Sequence, residues 1–228
     1  MIPSQENTPE KKNELSRVES VYRQLKKSIL FNEFPPGYQE LEPDLAGRLG
    51  VSRTPMREAL IRLASEKLIE LVPRRGMRIK PLTKADLDEM LDILIALERL
   101  VIHLLGLDST LDQKVLHEEL ALLLQAESAH DVNSWIESEA RLKMLIVKAS
   151  GSDRLAVMIQ NLRDQLTRAQ KSRIDKSVVT IDELMVHVNS QIEAAKSGDW
   201  LEYRRHSDAY FSRLRADVDT MLLAQEAI

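Results

Sequence analysis

From Arg17 onward, apolar residues recur at spacings of three and four: Val18, Val21, Tyr22, Leu25, Ile29 and Leu30. That stripe predicts one helix with a single buried face. Pro35-Pro36-Gly37 ends it and makes a turn. A short helical segment follows, with Leu41, Leu45 and Leu49 on one face and Gly50 closing it. Val51 and Ser52 form a tight link, after which Thr54-Pro55 opens another helix. Thr54 is placed to cap the free amides there. Pro55 suits the first helical position, where its missing N–H costs nothing. This helix is expected to run to about Lys67, with Met56, Leu60 and Leu63 inward. Residues 68–72 and 77–80 then flank Pro73-Arg74-Arg75-Gly76, and two short apolar runs around such a turn predict a β-hairpin.

Beyond Pro81 the pattern is helical throughout, broken near residues 106–110, 129–133, 150–153, 176–180 and 197–199. Helices are predicted over 83–105, 111–128, 133–149, 153–173, 181–196 and 199–226. Residues 1–15 are polar, carry two prolines and read as a disordered tail. The expected organisation is therefore a tail over 1–15, a small mixed domain over 16–81 and a helical domain over 82–228. No repeat at a fixed period interrupts this division.

Composition narrows the chemistry. With 228 residues the chain can bury a sizeable core unaided, and with no cysteine it has no disulfide, thiolate metal site or cysteine nucleophile. The N-terminus has no apolar h-region, and no stretch reaches ~18 uninterrupted apolar residues. A cytoplasmic protein without a membrane span is the expectation. Seven Gly and three Phe argue against a β-sandwich or a Gly-rich nucleotide loop. No P-loop, nucleophile elbow or HExxH motif occurs, so no enzyme is expected.

The net charge of −4 is unevenly divided. Residues 16–81 carry thirteen Lys and Arg against eight Asp and Glu, whereas residues 82–228 carry seventeen against twenty-five. A basic segment followed by an acidic one is the asymmetry of a nucleic-acid-binding module joined to one that does not bind. In the same basic segment the element order is helix, short helix, tight turn, helix and basic hairpin, which is that of a winged helix-turn-helix. Ala46 leaves room for the helices to cross, and Gly50 permits the turn. Ser52, Arg53, Thr54 and Arg57 lie in or just before the first turn of the second helix. That end of a recognition helix enters the major groove, where Arg reads guanine O6 and N7 and hydroxyls bind phosphate. Arg74, Arg75 and Arg78 fall at the tip and base of the hairpin, within reach of phosphate or the minor groove. Three blander readings stay open: Arg53, Arg57 and Arg62 as a solvated helix face, the Gly76 turn as any hairpin, and the helix-turn-helix as a protein–protein module.

The run Leu49-Gly50-Val51-Ser52-Arg53-Thr54-Pro55-Met56-Arg57-Glu58-Ala59-Leu60 closely resembles the signature of the GntR family of bacterial transcription regulators. Leu63, Leu68-Ile69, the Arg75-Gly76 turn and the upstream Pro36-Gly37 turn with Leu41 fit as well. The helical part resembles the ligand-binding domain of the FadR-type subfamily, called FCD, through its helix layout and the Ala149-Ser150-Gly151 and Gly198-Asp199 echoes. The resemblance covers about residues 17–225. It implies a mainly α protein: an N-terminal winged helix-turn-helix and a C-terminal all-α bundle that binds an effector. It also implies DNA contacts at Arg53, Thr54, Arg57 and, on the wing, Gly76. One departure stands out. Many members have Glu-Arg-Glu-Leu-Ala on the short helix; this chain has Glu42-Pro43-Asp44-Leu45-Ala46 and so lacks one cationic contact.

Many FCD domains hold a divalent metal with an Asp and a His four apart on one helix and a His on each of two later helices. Matching the Ala149-Ser150-Gly151 and Gly198-Asp199 echoes puts Glu139, Lys143, Val188 and Tyr210 at those positions, or His187 in place of Val188. The subfamily's Arg on the first helix of that domain is Leu94 here. An ammonium and a valine cannot ligate, so the metal site of the subfamily is expected to be lost and no cofactor is expected. Lys143 then stands in for the cation, pairing with Glu139 or binding an anionic or oxygen-rich effector. The alternative is a satisfied polar network in the bundle core. Arg163, Arg168, His187 and Tyr210 join Glu139 and Lys143 as pocket candidates, although a charged helix face is the plainer account of the two arginines. The resemblance implies a repressor of a pseudo-palindromic double-stranded DNA operator, acting as a homodimer and released by a sugar acid, carboxylate or aromatic acid. The alternative is a metabolite-binding protein whose DNA-binding domain no longer functions.

Overall fold

The computed structural model describes the backbone of residues 9–226 and the side chains of residues 17–220. The chain separates into two compact units, the first ending at Pro81 and the second beginning at Leu82. The first unit runs α1 (Pro9–Leu30), β1 (Gln39–Glu40), α2 (Glu42–Leu49), α3 (Arg53–Ser65), β2 (Ile69–Val72) and β3 (Gly76–Ile79). The three strands form one antiparallel sheet in the order β1-β3-β2.

The first unit is built on hydrocarbon. Val21, Leu25, Ile29, Leu45, Met56, Leu60, Leu63, Leu68, Met77 and Ile79 form one cluster, every member at most 3% exposed. The turn between α2 and α3 is closed by Gly50 at φ 63°, where its N–H donates to Gly47 O and the Val51 N–H to Ala46 O. Those are the two bonds of a Schellman end, and the left-handed residue it needs is cheapest as glycine.

Several details differ from the sequence reading. Residues 1–8 of the expected tail lie outside the described residues, and from Pro9 the chain is already helical. The Pro9–Ser16 segment holds good helix formers without the apolar spacing that marks a buried face, so α1 starts before its stripe does. Strand β1 has no counterpart among the expected elements; two residues held by pairing with Arg78 and Met77 leave no alternating pattern to find. Leu41 caps α2 and is exposed rather than inward. The cap of α3 is Ser52, not Thr54, which places Pro55 two residues inside. Its missing N–H is tolerated there because the first-turn amides have no intrahelical partner.

The second unit comprises α4 (Lys84–Leu107), α5 (Gln113–Ser128), α6 (Val132–Lys148), α7 (Asp153–Asp175), α8 (Ile181–Ser197) and α9 (Trp200–Glu226). Its helix starts are written in caps. Thr83 with Asp86 and Thr180 with Glu183 form reciprocal capping boxes, and Asp112, Asp131 and Ser152 accept from first-turn amides. Helix α4 packs on α7 and α9, α6 on α5 and α7, and α8 on α9. Trp135 fills the space between α6 and α8, its indole N–H pointing at Met185 Sδ at 3.2 Å.

Candidate functional site

Two sites emerge, one on the surface of the first unit and one inside the second. Helix α3 begins at Ser52 without a side-chain cap and has no acidic residue in its first turn. Its first amides and the positive end of its dipole therefore face outward unneutralised. Ser52, Arg53, Thr54 and Arg57 are all exposed there, while Met56, Ala59, Leu60 and Leu63 turn inward. Arg57 lines one depression with Arg53, Thr54, Glu58 and Ile61, and another with Leu71, Arg74 and Gly76. The outer face of α3 and the β2–β3 turn are thus one continuous surface.

Ion pairing sorts the arginines of this unit. Arg48 is bound to Glu40 at 2.7 Å, Arg62 to Glu19 at 2.7 Å and Arg78 to Glu70 at 2.5 Å. Arg62 also stacks on Tyr22, with its guanidinium carbon 3.5 Å from the ring centre. These side chains are occupied holding elements together, so Arg62 is no free solvated group and Arg78 at the hairpin base is tied across the sheet. Arg53, Arg57, Arg74 and Arg75 have no ion-pair partner among the described residues. A phosphate backbone would find its counter-charge on these four.

The turn that carries Arg74 and Arg75 is tight. Arg75 N–H donates to Val72 O at 2.9 Å, Pro73 sits at the second turn position, and Arg74 takes φ 64°. A proline followed by a positive φ marks a type II turn, whose third residue is normally glycine. Gly76 has a task other than the DNA contact that the family resemblance implies for it. A Cβ on it would stand 2.1 Å from Glu40 O and 2.7 Å from Leu41 Cα, so its bareness lets β3 close on β1.

The second site is a polar cluster inside the helical unit. Lys143 on α6, only 2% exposed, donates to Gln191 Oε1 on α8. Gln191 Nε2 in turn donates to Ser207 Oγ on α9 at 2.9 Å. Glu139, one turn before Lys143, has its carboxylate 3.9 Å from the ammonium, and the Tyr210 ring lies 5.1 Å from Nζ. Arg163 on α7 is bonded to Glu98 on α4, and both are almost fully enclosed. Two cations and two carboxylates thus face one another among five helices. Among the described residues Glu98 Oε2, Glu139 Oε1 and Arg163 Nε find no hydrogen-bond partner, so acceptor and donor capacity both remain.

Burial sets the electrostatics. It lowers the Lys143 ammonium to about 8, with Glu139 opposing the shift, and it pushes the hydroxyls of Tyr203 and Tyr210 well above the usual tyrosine range. Arg168 is buried too and is lowered to about 10 by desolvation alone. The plainer account of Arg163 and Arg168 as a charged surface therefore fails: α7 is enclosed on several sides. His187 stands at the edge of the cluster, half-buried, its ring 6.2 Å from that of Tyr210, and its pKa is lowered first by burial. Gln191, Ser207 and Glu98 escape the sequence reading as site residues. Their signal is a polar residue at a core-facing helical position, as Gln191 is between Val188 and Ile192. Among the described residues no three His, Asp or Glu side chains converge as a metal would need. The subfamily's metal does not fit this donor set, because an ammonium faces Glu139 and Val188 is buried apolar core.

The chain matches two known domain families. The one described as "Bacterial regulatory proteins, gntR family" matches residues 17–79, and the FCD domain matches residues 89–213. An uncharacterized HTH-type transcriptional regulator of Agrobacterium vitis is 35% identical over 138 residues, 58% of this chain and 79% of that protein. The gluconate operon transcriptional repressor of Bacillus licheniformis is 24% identical over 193 residues, covering 82% of this chain and 79% of that one. The solved structure of E. coli McbR/YncC shares the fold, with TM-score 0.78 at 24% identity over 90% of this chain and 98% of its own.

Proposed function

The chain belongs to the GntR family of transcriptional regulators, with an FCD domain behind its winged helix, and from that premise we propose that it is a cytoplasmic repressor whose grip on a pseudo-palindromic operator is loosened by a small molecule bound in the helical unit. The observation that carries this reading is the sorting of arginines. Arg53, Arg57, Arg74 and Arg75 are left unneutralised on one surface, while Arg48, Arg62 and Arg78 are consumed internally. Phosphate contacts from such groups position the protein, and the exposed face of α3 supplies the base readout. No catalytic role is proposed.

A homodimer follows from the need to present two recognition helices to one side of a duplex. Helix α4 offers a surface for it, since Ile93, Leu100 and Leu107 are exposed at intervals of seven residues. That interval keeps apolar residues along one seam between paired helices.

The polar cluster of Glu98, Glu139, Lys143, Arg163, Gln191 and Tyr210 is the proposed effector site. Each cation already has a carboxylate, so an effector's acid group enters by displacing Glu139 from Lys143 or Glu98 from Arg163. The second exchange loosens α7 from α4, the helix that follows the winged unit within three residues of Pro81. Ligand binding can then shift the population between operator-competent and incompetent states. No resident metal is proposed: Lys143 supplies the positive charge beside Glu139. Elemental analysis of dialysed protein should find well under one equivalent of Zn, Ni or Mn, and a full equivalent would sink this part of the reading.

The function is tested by selecting genomic DNA fragments with the purified protein at ~150 mM salt, where non-specific binding is weak. Enrichment of one inverted repeat is expected, weakened by Arg57→Ala. Binding without sequence preference that salt abolishes would overturn it.

A further inference from the structure

Helix α3 has one residue that neither the core nor the charge pattern explains. Its other large apolar side chains, Met56, Leu60 and Leu63, are at most 2% exposed, whereas Ile61 is 52% exposed. Ile61 lies on the face that carries Arg53 and Arg57, the three spaced at intervals of four residues along the helix. At ~100° per residue each interval turns the helix by ~40°, so the three side chains share one face and climb it in steps of ~6 Å. The same depression that holds Arg53, Thr54, Arg57 and Glu58 is lined by Ile61. An isolated surface isoleucine is ordinary. This one interrupts a row of side chains otherwise suited to hydrogen-bonding base edges and phosphates.

Base pairs present one apolar group in the major groove, the 5-methyl of thymine, and an aliphatic side chain is its natural contact. We infer that Ile61 is a specificity-determining residue that packs on a thymine methyl in each operator half-site, next to the base read by Arg57. The inference rests on the proposed DNA-binding function and adds a defined preference at one position. Its energy source is the burial of one methyl group against a branched side chain, which makes the expected effect modest: about three- to fivefold in affinity per half-site.

The test isolates that methyl. An operator is first selected from random DNA by the full-length protein. Each thymine of the half-site is then replaced in turn by deoxyuridine, which removes the 5-methyl and leaves every hydrogen-bonding group in place. At one position the wild-type protein should lose about three- to fivefold per half-site, and Ile61→Ala should show the same loss on the unmodified operator. At that position deoxyuridine should cost Ile61→Ala nothing further, because the variant has no side chain to reach the methyl. Ile61→Val should keep part of the methyl sensitivity. The inference is overturned if deoxyuridine weakens the wild type and Ile61→Ala equally at every position. It is also overturned if Ile61→Ala lowers the melting temperature while methyl sensitivity persists, which would make Ile61 a packing residue. Failure to select any operator would instead remove the DNA-binding function itself, so the two failures are distinct.

Discussion

Both units bury hydrocarbon, but they differ in what else they bury. Among the described residues, the fully buried polar and charged groups, from Glu98 to Asp217, all lie in the helical unit; the winged unit encloses hydrocarbon, and its most enclosed ion pair, Lys26 with Glu66, keeps 18% and 13% of its side chains exposed. A domain that reads a polyanion needs cations at its surface, and a hydrocarbon core is the cheapest way to hold them rigidly. A domain with Lys143, Arg163, Glu98 and Glu139 in its interior accepts a desolvation cost that no fold requires. Such a cost is understandable where the interior is where recognition happens. The same residue types therefore mean different things in the two halves, and mutation can separate those meanings.

The largest expected effect tests the interior. Lys143→Met leaves the Glu139 carboxylate enclosed beside an apolar chain, and removing one partner of a buried pair costs about 3 kcal/mol or more. The double variant Glu139→Gln with Lys143→Met removes both charges and should recover most of that stability. Urea midpoints of the single and double variants measure it. On the winged unit the parallel change, Arg48→Met, breaks the half-exposed pair with Glu40 and should cost under ~1 kcal/mol. Equal costs in the two units would erase the distinction between them.

A smaller effect on stability, but a sharper one on function, belongs to α3. Arg57→Ala should leave the melting temperature unchanged, because the side chain is exposed and unpaired. Operator affinity should fall by about 1–3 kcal/mol if Arg57 is bidentate to a guanine, with relaxed preference at that base pair. Fluorescence anisotropy on matched and mismatched operators checks both. An unchanged affinity would mean that α3 does not enter the groove.

How much of this is legible in the chain depends on the kind of signal. The helical unit announces its boundaries because Thr83, Asp112, Asp131, Ser152 and Thr180 are capping residues, and the helices start where they stand. The start of α3 is ambiguous in sequence because Ser52, Arg53, Thr54 and Pro55 offer two caps and a proline that suits any first-turn position. Strand β1 is held by its neighbour β3 rather than by any preference of Gln39-Glu40. For the sites, Arg53 and Arg57 are visible through their motif, but their freedom from partners is not, since pairing across 43 residues, as between Arg62 and Glu19, leaves no local trace. Arg163 reads as surface for a related reason: one helix seen alone shows a polar face, not that α4 and α6 close over it.

The wing offers the smallest and most discriminating change. Arg74 sits at φ 64°, a region that costs an ordinary L-residue about 1 kcal/mol and a glycine almost nothing. Pro73 before it fixes the turn, so the strain cannot relax by a change of turn type without breaking the hydrogen bond from Arg75 N–H to Val72 O. A sequence shaped by folding alone would place glycine there. Arg74→Gly removes the strain but gives the unfolded chain more freedom, and the two terms nearly offset, so stability should stay level or rise by up to about 0.5 kcal/mol. DNA binding should move the other way. Without the Arg74 guanidinium on a phosphate in each subunit, the slope of log affinity against log salt should become shallower by about one for each phosphate no longer neutralised. A variant that is no less stable and yet less salt-dependent would identify Arg74 as strain retained for its charge. A variant that is less stable by more than about 1 kcal/mol, with its salt slope intact, would instead make Arg74 part of the wing's own packing.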